Sequence, residues 1–126
     1  MSGRVVHFEV PYDDGDRARS FYGDVFGWQI QHMPEMQYDI VSTGPAGEGG
    51  YPAEPGYIGG GLTQRGEMVG RPVITIAVDD IDATLERVRS SGGSAIGEKL
   101  TVGEMGFAAY FHDSEGNVMG LWQSAG

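Results

Sequence analysis

The first strand is marked by an alternation of apolar and polar residues. The segment Val5–Val10 reads V-V-H-F-E-V. Because side chains alternate along a strand with a period of two, the apolar residues at even positions share one face, and His7 and Glu9 share the other. The apolar face predicts contact with a core. The polar face fits either a solvated outer surface or one wall of a site.

Similar patterns predict two helices and seven further strands. The first helix follows turn residues Pro11–Gly15, is capped by Asp14 or Asp16, and ends at Gly27. Its apolar positions keep the i, i+3, i+4, i+7 spacing of a helix that packs on one face: Ala18, Phe21, Tyr22 and Val25. A second helix is predicted to follow the run Asp79–Asp82, to continue through about Ser90 and to be ended by Gly92 and Gly93. Strands are predicted at 28–30, 36–42 (where Tyr38 and Ile40 alternate with Gln37 and Asp39), 57–63, 72–78, from 95, at 107–112 and at 118–123.

The predicted elements repeat as strand, helix and three strands, twice. An offset of 66 residues superimposes the two halves up to the ends of their helices, and the fourth strands match after allowance for a shorter second loop. The matched pairs are His7 with Val73, Glu9 with Thr75, Gly27 with Gly93, and Gly61 with Gly120. Such a repeat predicts two copies of one unit, at about 1–65 and 70–126 of a single α+β domain spanning 1–126. The apolar strand faces would lie under the helices, and the opposite faces would enclose a shared concavity.

Composition and charge exclude several classes of partner. The 126 residues carry 18 acidic and 8 basic side chains, a net charge of −10, and no cluster of Lys or Arg. Phosphate backbones and anionic membrane surfaces should therefore be repelled. With no cysteine, thiolate catalysis and cysteine-based zinc sites are excluded. The absence of a signal peptide or of a membrane-spanning apolar run favours a cytoplasmic protein.

One long connection stands out for its composition. Residues 43–55 are rich in Gly and Pro and poor in apolar side chains. A loop of this length and composition is unusual inside a small domain and is often functional. We therefore expect it to be more mobile than the strands that it joins, and to act as a lid.

Four stretches of the chain resemble the superfamily of glyoxalases, bleomycin-resistance proteins and extradiol dioxygenases, also called the vicinal oxygen chelate fold. They read H-F-E-V, D-D-G-D-R-A-R-S-F-Y-G-D-V-F-G-W, I-A-V-D-D-I-D-A-T-L-E-R-V-R-S-S-G-G and D-S-E-G-N-V-M-G-L-W-Q. The resemblance covers nearly the whole chain. It implies two βαβββ modules that pair into a cupped, partly open barrel, often as a homodimer.

The resemblance also implies where a catalytic metal would be bound. Metal enzymes of this superfamily take one ligand from each of the first, fourth, fifth and eighth strands, and the matching residues here are His7, Gly61, Val73 and Gly120. Only His7 carries a donor, whereas a catalytic metal needs about three protein ligands. Glu9 offers a second donor but does not complete the set. We therefore predict no catalytic metal and no cofactor, and a roomier pocket where the two glycines replace ligand side chains.

Two functions from different classes remain open. The first is a metal-free protein that binds a small organic molecule, cationic or aromatic, as the drug-sequestering members of the superfamily do. The second is a lyase, isomerase or epimerase acting on a small carbonyl compound, with His7 and Glu9 as the acid or base or as a partial metal site. The predicted ligand-binding residues are His7, Glu9, Gly61, Val73, Thr75, Gly120 and Trp122. Trp122 is included because it shares a strand face with Gly120.

Overall fold

The computed structural model describes residues 3–47 and 52–126. The chain divides into two compact units, one formed by His7–Pro72 and the other by Val73–Gly126 together with the residues up to Val6. The first strand passes from one unit into the other.

The first unit has the order strand, helix, three strands. Its elements are β1 (Val5–Tyr12), α1 (Gly15–Phe26), β2 (Gln29–Met33), a short 3-10 helix (Pro34–Met36), β3 (Tyr38–Ser42) and β4 (Gly59–Gln64). The strand order is β2-β3-β4-β1. β4 is parallel to β1, while β2, β3 and β4 pair in antiparallel fashion.

The second unit repeats this arrangement. Its elements are β5 (Val73–Ala77), α2 (Ile81–Ser90), β6 (Ser94–Val102), β7 (Gly106–His112) and β8 (Val118–Ser124). The strand order is β6-β7-β8-β5, with β8 parallel to β5 and the other pairs antiparallel. The predicted repeat of two βαβββ modules is thus confirmed.

An aspartate caps the N-terminus of each helix, and for α1 it is Asp14, one of the two residues predicted for this role. The Asp14 side chain accepts a hydrogen bond from the backbone N–H of Arg17 at 3.1 Å, and α1 ends at Gly27 with a φ of 71°. Asp80 caps α2 in the same way, accepting from the N–H of Ala83 at 3.0 Å. A side chain that accepts from an early N–H satisfies a donor that has no partner within the helix.

The two helices differ in how they pack. Ile81 and Leu85 of α2 are buried against strand residues of β7 and β8: Ala109, Phe111 and Leu121. In contrast, α1 has no buried residue. Phe21 and Val25, which the spacing placed on a packing face, are 53% and 56% exposed.

Several element ends differ from the sequence prediction. The first strand does not stop before Pro11 but continues through Tyr12, because β4 pairs with it as far as Gln64. The second strand extends to Met33, since pairing with β3 continues to Tyr38. The sixth strand is longer than its apolar start indicated, with a register irregularity between residues 96 and 100. Pairing with a neighbour, which a single segment cannot reveal, sets each of these ends.

Within the described residues, neither helix has the length and apolar character to cross a membrane. The cytoplasmic location stays a prediction.

Candidate functional site

In the first unit, the face of β1 that carries His7 and Glu9 lies beside a glycine of β4. Glu9 pairs with Gly61 across the parallel strands. Glu9 is buried, with 7% of its surface exposed, and His7 is half-buried. Phe8 points to the opposite face, where its ring lies 2.6 Å from the position that a Cβ at Gly60 would take. His7 and Glu9 therefore share one face, and the burial of Glu9 shows that this face is not a solvated surface.

Tyr38 of β3 reaches the same face. Its hydroxyl oxygen lies 2.8 Å from Nε2 of His7, and the two rings are nearly parallel, with centroids 6.4 Å apart. A Cβ at Gly61 would collide with this hydroxyl and its ring. The glycine therefore does not leave the open space expected from the sequence, because Tyr38 fills it.

Burial makes the neutral imidazole the stable form of His7. Desolvation lowers the pKa of His7 below its usual value, and the negative charge of Glu9 opposes this shift only in part. At neutral pH, a hydroxyl proton of Tyr38 can then be donated to Nε2 when the ring proton sits on Nδ1. In the other tautomer, Nε2–H donates to the hydroxyl oxygen of Tyr38, and Nδ1 is then the basic nitrogen of an imidazole whose orientation the hydroxyl holds.

The lowered pKa of His7 predicts a pH dependence of stability. As the pH falls through about 6.5, the unfolded chain binds more protons at residue 7 than the folded chain does. The free energy of unfolding, measured by urea titration at a series of pH values, should therefore decrease below about pH 6.5. The free energy of unfolding should change less steeply with pH in His7→Gln, whose amide can still form a hydrogen bond with Tyr38. Equal slopes in the two proteins would contradict the assigned shift.

In the second unit, β5 and β8 bring together the other predicted residues. Thr75 pairs with Gly120, and its Oγ1 lies 2.8 Å from the position that a Cβ at Gly120 would take. Leu121 belongs to the core under α2, so Gly120 and Trp122 lie on the face away from this helix. Val73 is buried, with 2% exposed, and shares the face of Thr75 by the same alternation. That Trp122 lines one cleft with His7 stays a prediction.

An ionic cluster lies on the helix side of the first unit. Asp39 is fully buried, although the sequence pattern placed it on a polar strand face. One carboxylate oxygen accepts a hydrogen bond from Nη1 of Arg19 at 2.7 Å, and the other lies 2.6 Å from Nδ1 of His32. Arg19 also binds Asp16 at 2.7 Å, and the hydrogen bonds to Asp16 and Asp39 raise the pKa of Arg19. One signal could have revealed this cluster: Asp39 shares its strand face with the core residue Val41.

The long loop is held together at its base. Pro45 accepts a hydrogen bond from the Tyr57 hydroxyl, which itself accepts from the backbone N–H of Ala53 at 3.1 Å. The Thr43 hydroxyl donates to the carbonyl of Ile58 at 2.8 Å. Residues 48–51, the middle of the predicted lid, lie outside the described residues. The expected mobility of the loop stays a prediction.

Comparison with known proteins shows the family to which the chain belongs. Residues 4–44 match the family model for the bleomycin resistance protein-like N-terminal region. A glyoxylase-like domain-containing protein of Didymella fabae is 31% identical over 123 residues, covering 94% of this chain and 91% of the relative. The chain belongs to the glyoxalase-like family. The resemblance read from the four sequence stretches is confirmed.

One further relative supports the family, and one solved structure bears on the fold. A lactoylglutathione lyase of Haemophilus influenzae is 34% identical over 119 residues, covering 90% of this chain and 87% of the relative. The solved structure of a Streptomyces coelicolor methylmalonyl-CoA epimerase variant, in complex with 2-nitronate-propionyl-CoA, has a TM-score of 0.66 at 19% identity, with both chains fully covered. At that identity, the second likeness shows the fold alone. It confirms the predicted glyoxalase-like fold class.

The residues that the resemblance assigns to the family's metal-ligand positions do not fit a metal. Gly61, Val73 and Gly120 carry no donor. The space beside Gly61 is filled by the hydroxyl of Tyr38, which already occupies Nε2 of His7. Among residues 3–47 and 52–126, no three His, Cys, Asp or Glu side chains are grouped closely enough to hold a metal ion.

Proposed function

We propose that this glyoxalase-like protein binds a small organic molecule without a catalytic metal, on the strand face that carries His7, Glu9 and Tyr38. One observation carries the proposal: the hydroxyl of Tyr38 takes the place of the family's fourth-strand ligand and engages Nε2 of His7. His7, at a position where the family's metal enzymes have a metal ligand, instead forms a hydrogen-bonded pair with Tyr38. Such a pair can orient a polar ligand through hydrogen bonds. The backbone of Gly61 lies beside the pair.

The charges of the site favour a cationic or aromatic ligand. Glu9 is a buried carboxylate on this face, and the whole chain carries a net charge of −10. A buried carboxylate attracts an organic cation more strongly than an exposed one, because water screens it less. The aromatic rings of His7 and Tyr38 supply flat surfaces beside it. Trp122 is the further ring that we propose to contact the ligand.

A binding screen in the presence of excess EDTA tests this proposal. We expect a member of a panel of planar aromatic cations, such as ethidium, to bind by calorimetry with an affinity that EDTA does not change. Glu9→Gln should weaken binding about 10-fold, equivalent to about 1.4 kcal/mol. Glu35→Gln is the matched control, since it makes the same charge change at an exposed residue. Binding that EDTA abolishes would contradict the proposal.

Fluorescence tests whether Trp122 takes part. Trp28 packs between Phe8 and Tyr22 in the first unit, with ring centroids 5.5 Å and 4.6 Å away. Trp28→Phe therefore keeps an aromatic contact there and leaves Trp122 as the only tryptophan. The emission of Trp122 should change as the bound panel member is titrated. Unchanged emission would remove Trp122 from the site.

A second candidate is the transfer of a proton next to a carbonyl group. It is favoured by the neutral imidazole of His7, which is suited to act as a base. The names of two similar proteins, a lactoylglutathione lyase and a methylmalonyl-CoA epimerase, point the same way. In this scheme, Nε2–H of His7 donates to the hydroxyl oxygen of Tyr38, which holds the ring in place, and Nδ1 of His7 removes the proton. Glu9 is the alternative base.

Deuterium exchange separates binding from catalysis. The hemithioacetal of methylglyoxal and glutathione, or methylmalonyl-CoA, is incubated with the protein in heavy water and followed by NMR. A binding protein leaves the proton next to the carbonyl unexchanged. A proton-transfer enzyme exchanges it, and His7→Gln then abolishes the exchange while Glu35→Gln does not.

A further inference from the structure

An exposed imidazole in the first unit is paired with a buried carboxylate. Nδ1 of His32 lies 2.6 Å from Oδ1 of Asp39, and Asp39 is fully buried. The His32 side chain, in contrast, is 48% exposed. Asp39 follows Tyr38 on β3 and pairs with His32 on β2, so both lie on the strand face opposite to that of Tyr38. This pair is therefore separate from the face that carries His7 and Glu9.

The contact with Asp39 fixes the tautomer of the neutral His32 ring. A carboxylate only accepts hydrogen bonds, so Nδ1 must carry the proton that it donates to Asp39. Nη1 of Arg19, 3.5 Å from Nδ1, is itself a donor and cannot accept this proton. The lone pair of the neutral ring consequently lies on Nε2. Among residues 3–47 and 52–126, this nitrogen has no hydrogen-bond partner.

Arg19 holds the carboxylate in the orientation that this tautomer requires. Its Nη1 donates to Oδ2 of Asp39 at 2.7 Å, and its Nη2 donates to Asp16 at 2.7 Å. Each oxygen of Asp39 thus has its own partner, and the carboxylate cannot rotate without breaking a charged hydrogen bond. The ring of His32 is oriented from the interior of the unit, while its nucleophilic nitrogen is left without a partner.

We propose that His32 is a nucleophile that hydrolyses small, uncharged, activated esters, with Asp39 and Arg19 as positioning residues. An imidazole attacks through its unprotonated nitrogen. A carboxylate bound to the other nitrogen holds the ring in the reactive tautomer and stabilises the cation that forms when the ring is acylated. This activity is independent of ligand binding on the face of His7 and Glu9.

The reaction balances with water as the only co-reactant. Nε2 of His32 attacks the carbonyl carbon, and the bond from that carbon to the leaving oxygen breaks, with its electron pair departing on an aryl oxide. The ring is then an acylimidazolium, whose Nδ1 proton stays hydrogen-bonded to Asp39. Water adds to the acyl carbon, and the bond to Nε2 breaks and returns its electron pair to the ring. One proton of the water remains on the carboxylic acid, and the other goes to the aryl oxide.

Charge and exposure define the class of substrate. The chain carries a net charge of −10, and Asp16 adds a carboxylate beside Arg19, so anionic esters are repelled. His32 is half-exposed rather than enclosed. We therefore expect the reactivity of the ester, more than its shape, to determine which compounds are hydrolysed.

Hydrolysis of para-nitrophenyl acetate, followed by the absorbance of the released para-nitrophenolate, tests the activity. His32→Gln should lower the rate at least about 10-fold, because an amide has no nucleophilic nitrogen. His112→Gln is the matched control. Its neighbour Asp113 accepts hydrogen bonds from the backbone of the turn that follows, so His112 lacks an oriented carboxylate and its loss should change the rate less than about two-fold.

Carbethoxylation by diethyl pyrocarbonate locates the nucleophile. Trypsin separates the three histidines of the chain into peptides 5–17, 20–65 and 100–126, which contain His7, His32 and His112 respectively. Mass spectrometry of these peptides after brief exposure to the reagent should show modification of peptide 20–65 first. Nε2 of His32 is the expected atom, since Nδ1 carries the proton bound to Asp39.

Asp39→Asn tests positioning with a readout that a change in stability does not move. Arg19 requires an acceptor, so the amide oxygen should turn to Arg19 and the NH₂ group to Nδ1 of His32. The ring proton then moves to Nε2 and blocks the attack. Proton–nitrogen correlation spectra of the imidazoles should show the Nδ1–H tautomer in the wild type and the Nε2–H tautomer in the variant. The rate should fall at least about 10-fold at a temperature at which circular dichroism shows the variant folded.

Four results would overturn the proposal. They are an unchanged rate in His32→Gln, an equal loss in His112→Gln, modification of another peptide ahead of 20–65, and an Nε2–H tautomer of His32 in the wild type.

Discussion

Asp39→Asn is expected to lower the free energy of unfolding by about 3 kcal/mol, the largest effect of any single change considered for this chain. The carboxylate is fully buried between Arg19 and His32, at 2.7 Å and 2.6 Å. An amide of the same size keeps the volume but presents an NH₂ group to one of these donors and leaves Arg19 without its buried counter-charge. Arg19 belongs to α1, a helix with no buried residue, so the change removes a main attachment of that helix.

Urea unfolding followed by circular dichroism measures this loss as a shift of the midpoint at constant slope. Asp79→Asn is the matched control, since it makes the same chemical change at an exposed residue and should cost less than about 0.5 kcal/mol. His32→Ala should cost less than Asp39→Asn, because the His32 side chain is 48% exposed. The double variant Arg19→Met/Asp39→Leu should recover part of the stability, since an apolar pair leaves no charge buried. A loss from Asp39→Asn no larger than that of the control would show that the cluster does not stabilise the fold.

The second large effect is a gain of metal binding in Gly61→Glu/Tyr38→Ala. The double change adds a third donor beside His7 and Glu9 and removes the hydroxyl that fills this space and engages His7. Three donors on one face meet the minimum for a metal site. We expect the affinity for Zn²⁺ or Ni²⁺, measured by competition with a chelating dye, to rise at least about 10-fold over the wild type.

Three variants show which part of the change matters. Tyr38→Ala alone frees His7 but adds no donor, so its affinity should stay close to that of the wild type. Gly61→Glu alone forces the new side chain against Tyr38 and should lose stability through crowding. Gly61→Gln/Tyr38→Ala adds a neutral amide, a poorer ligand than a carboxylate, and should gain less. A wild type that already binds Zn²⁺ or Ni²⁺ as tightly as the double variant would refute the proposal that Tyr38 replaces the metal.

The local pattern of side chains was sufficient to predict the two modules and the residues that end their helices. The alternation in Val5–Val10 placed His7 and Glu9 on one face, Gly27 was predicted to end α1, and the cap of α1 was predicted to be Asp14 or Asp16. These features depend on side-chain periodicity and on local hydrogen bonds, so a short segment determines them. The resemblance to the glyoxalase-like family rested on the same segments. It also implied that three of the family's ligand positions lack donors in this chain.

Only the tertiary structure decided what fills the candidate site. Tyr38 lies 31 residues from His7, and it reaches the imidazole only because β3 pairs with β4 and β4 pairs with β1 in a particular register. The pairing of Ile40 with Gly61 sets Tyr38 at the level where a glycine leaves room for its ring. A shift of one residue would turn Tyr38 to the other face. Asp39 is a second example. Alternation along β3 assigned Asp39 to one strand face, but the docking of α1 determined that this face is buried and supplied Arg19 as the partner of Asp39. Register and docking depend on contacts between segments distant in the sequence, and for that reason no single stretch of the sequence could show them.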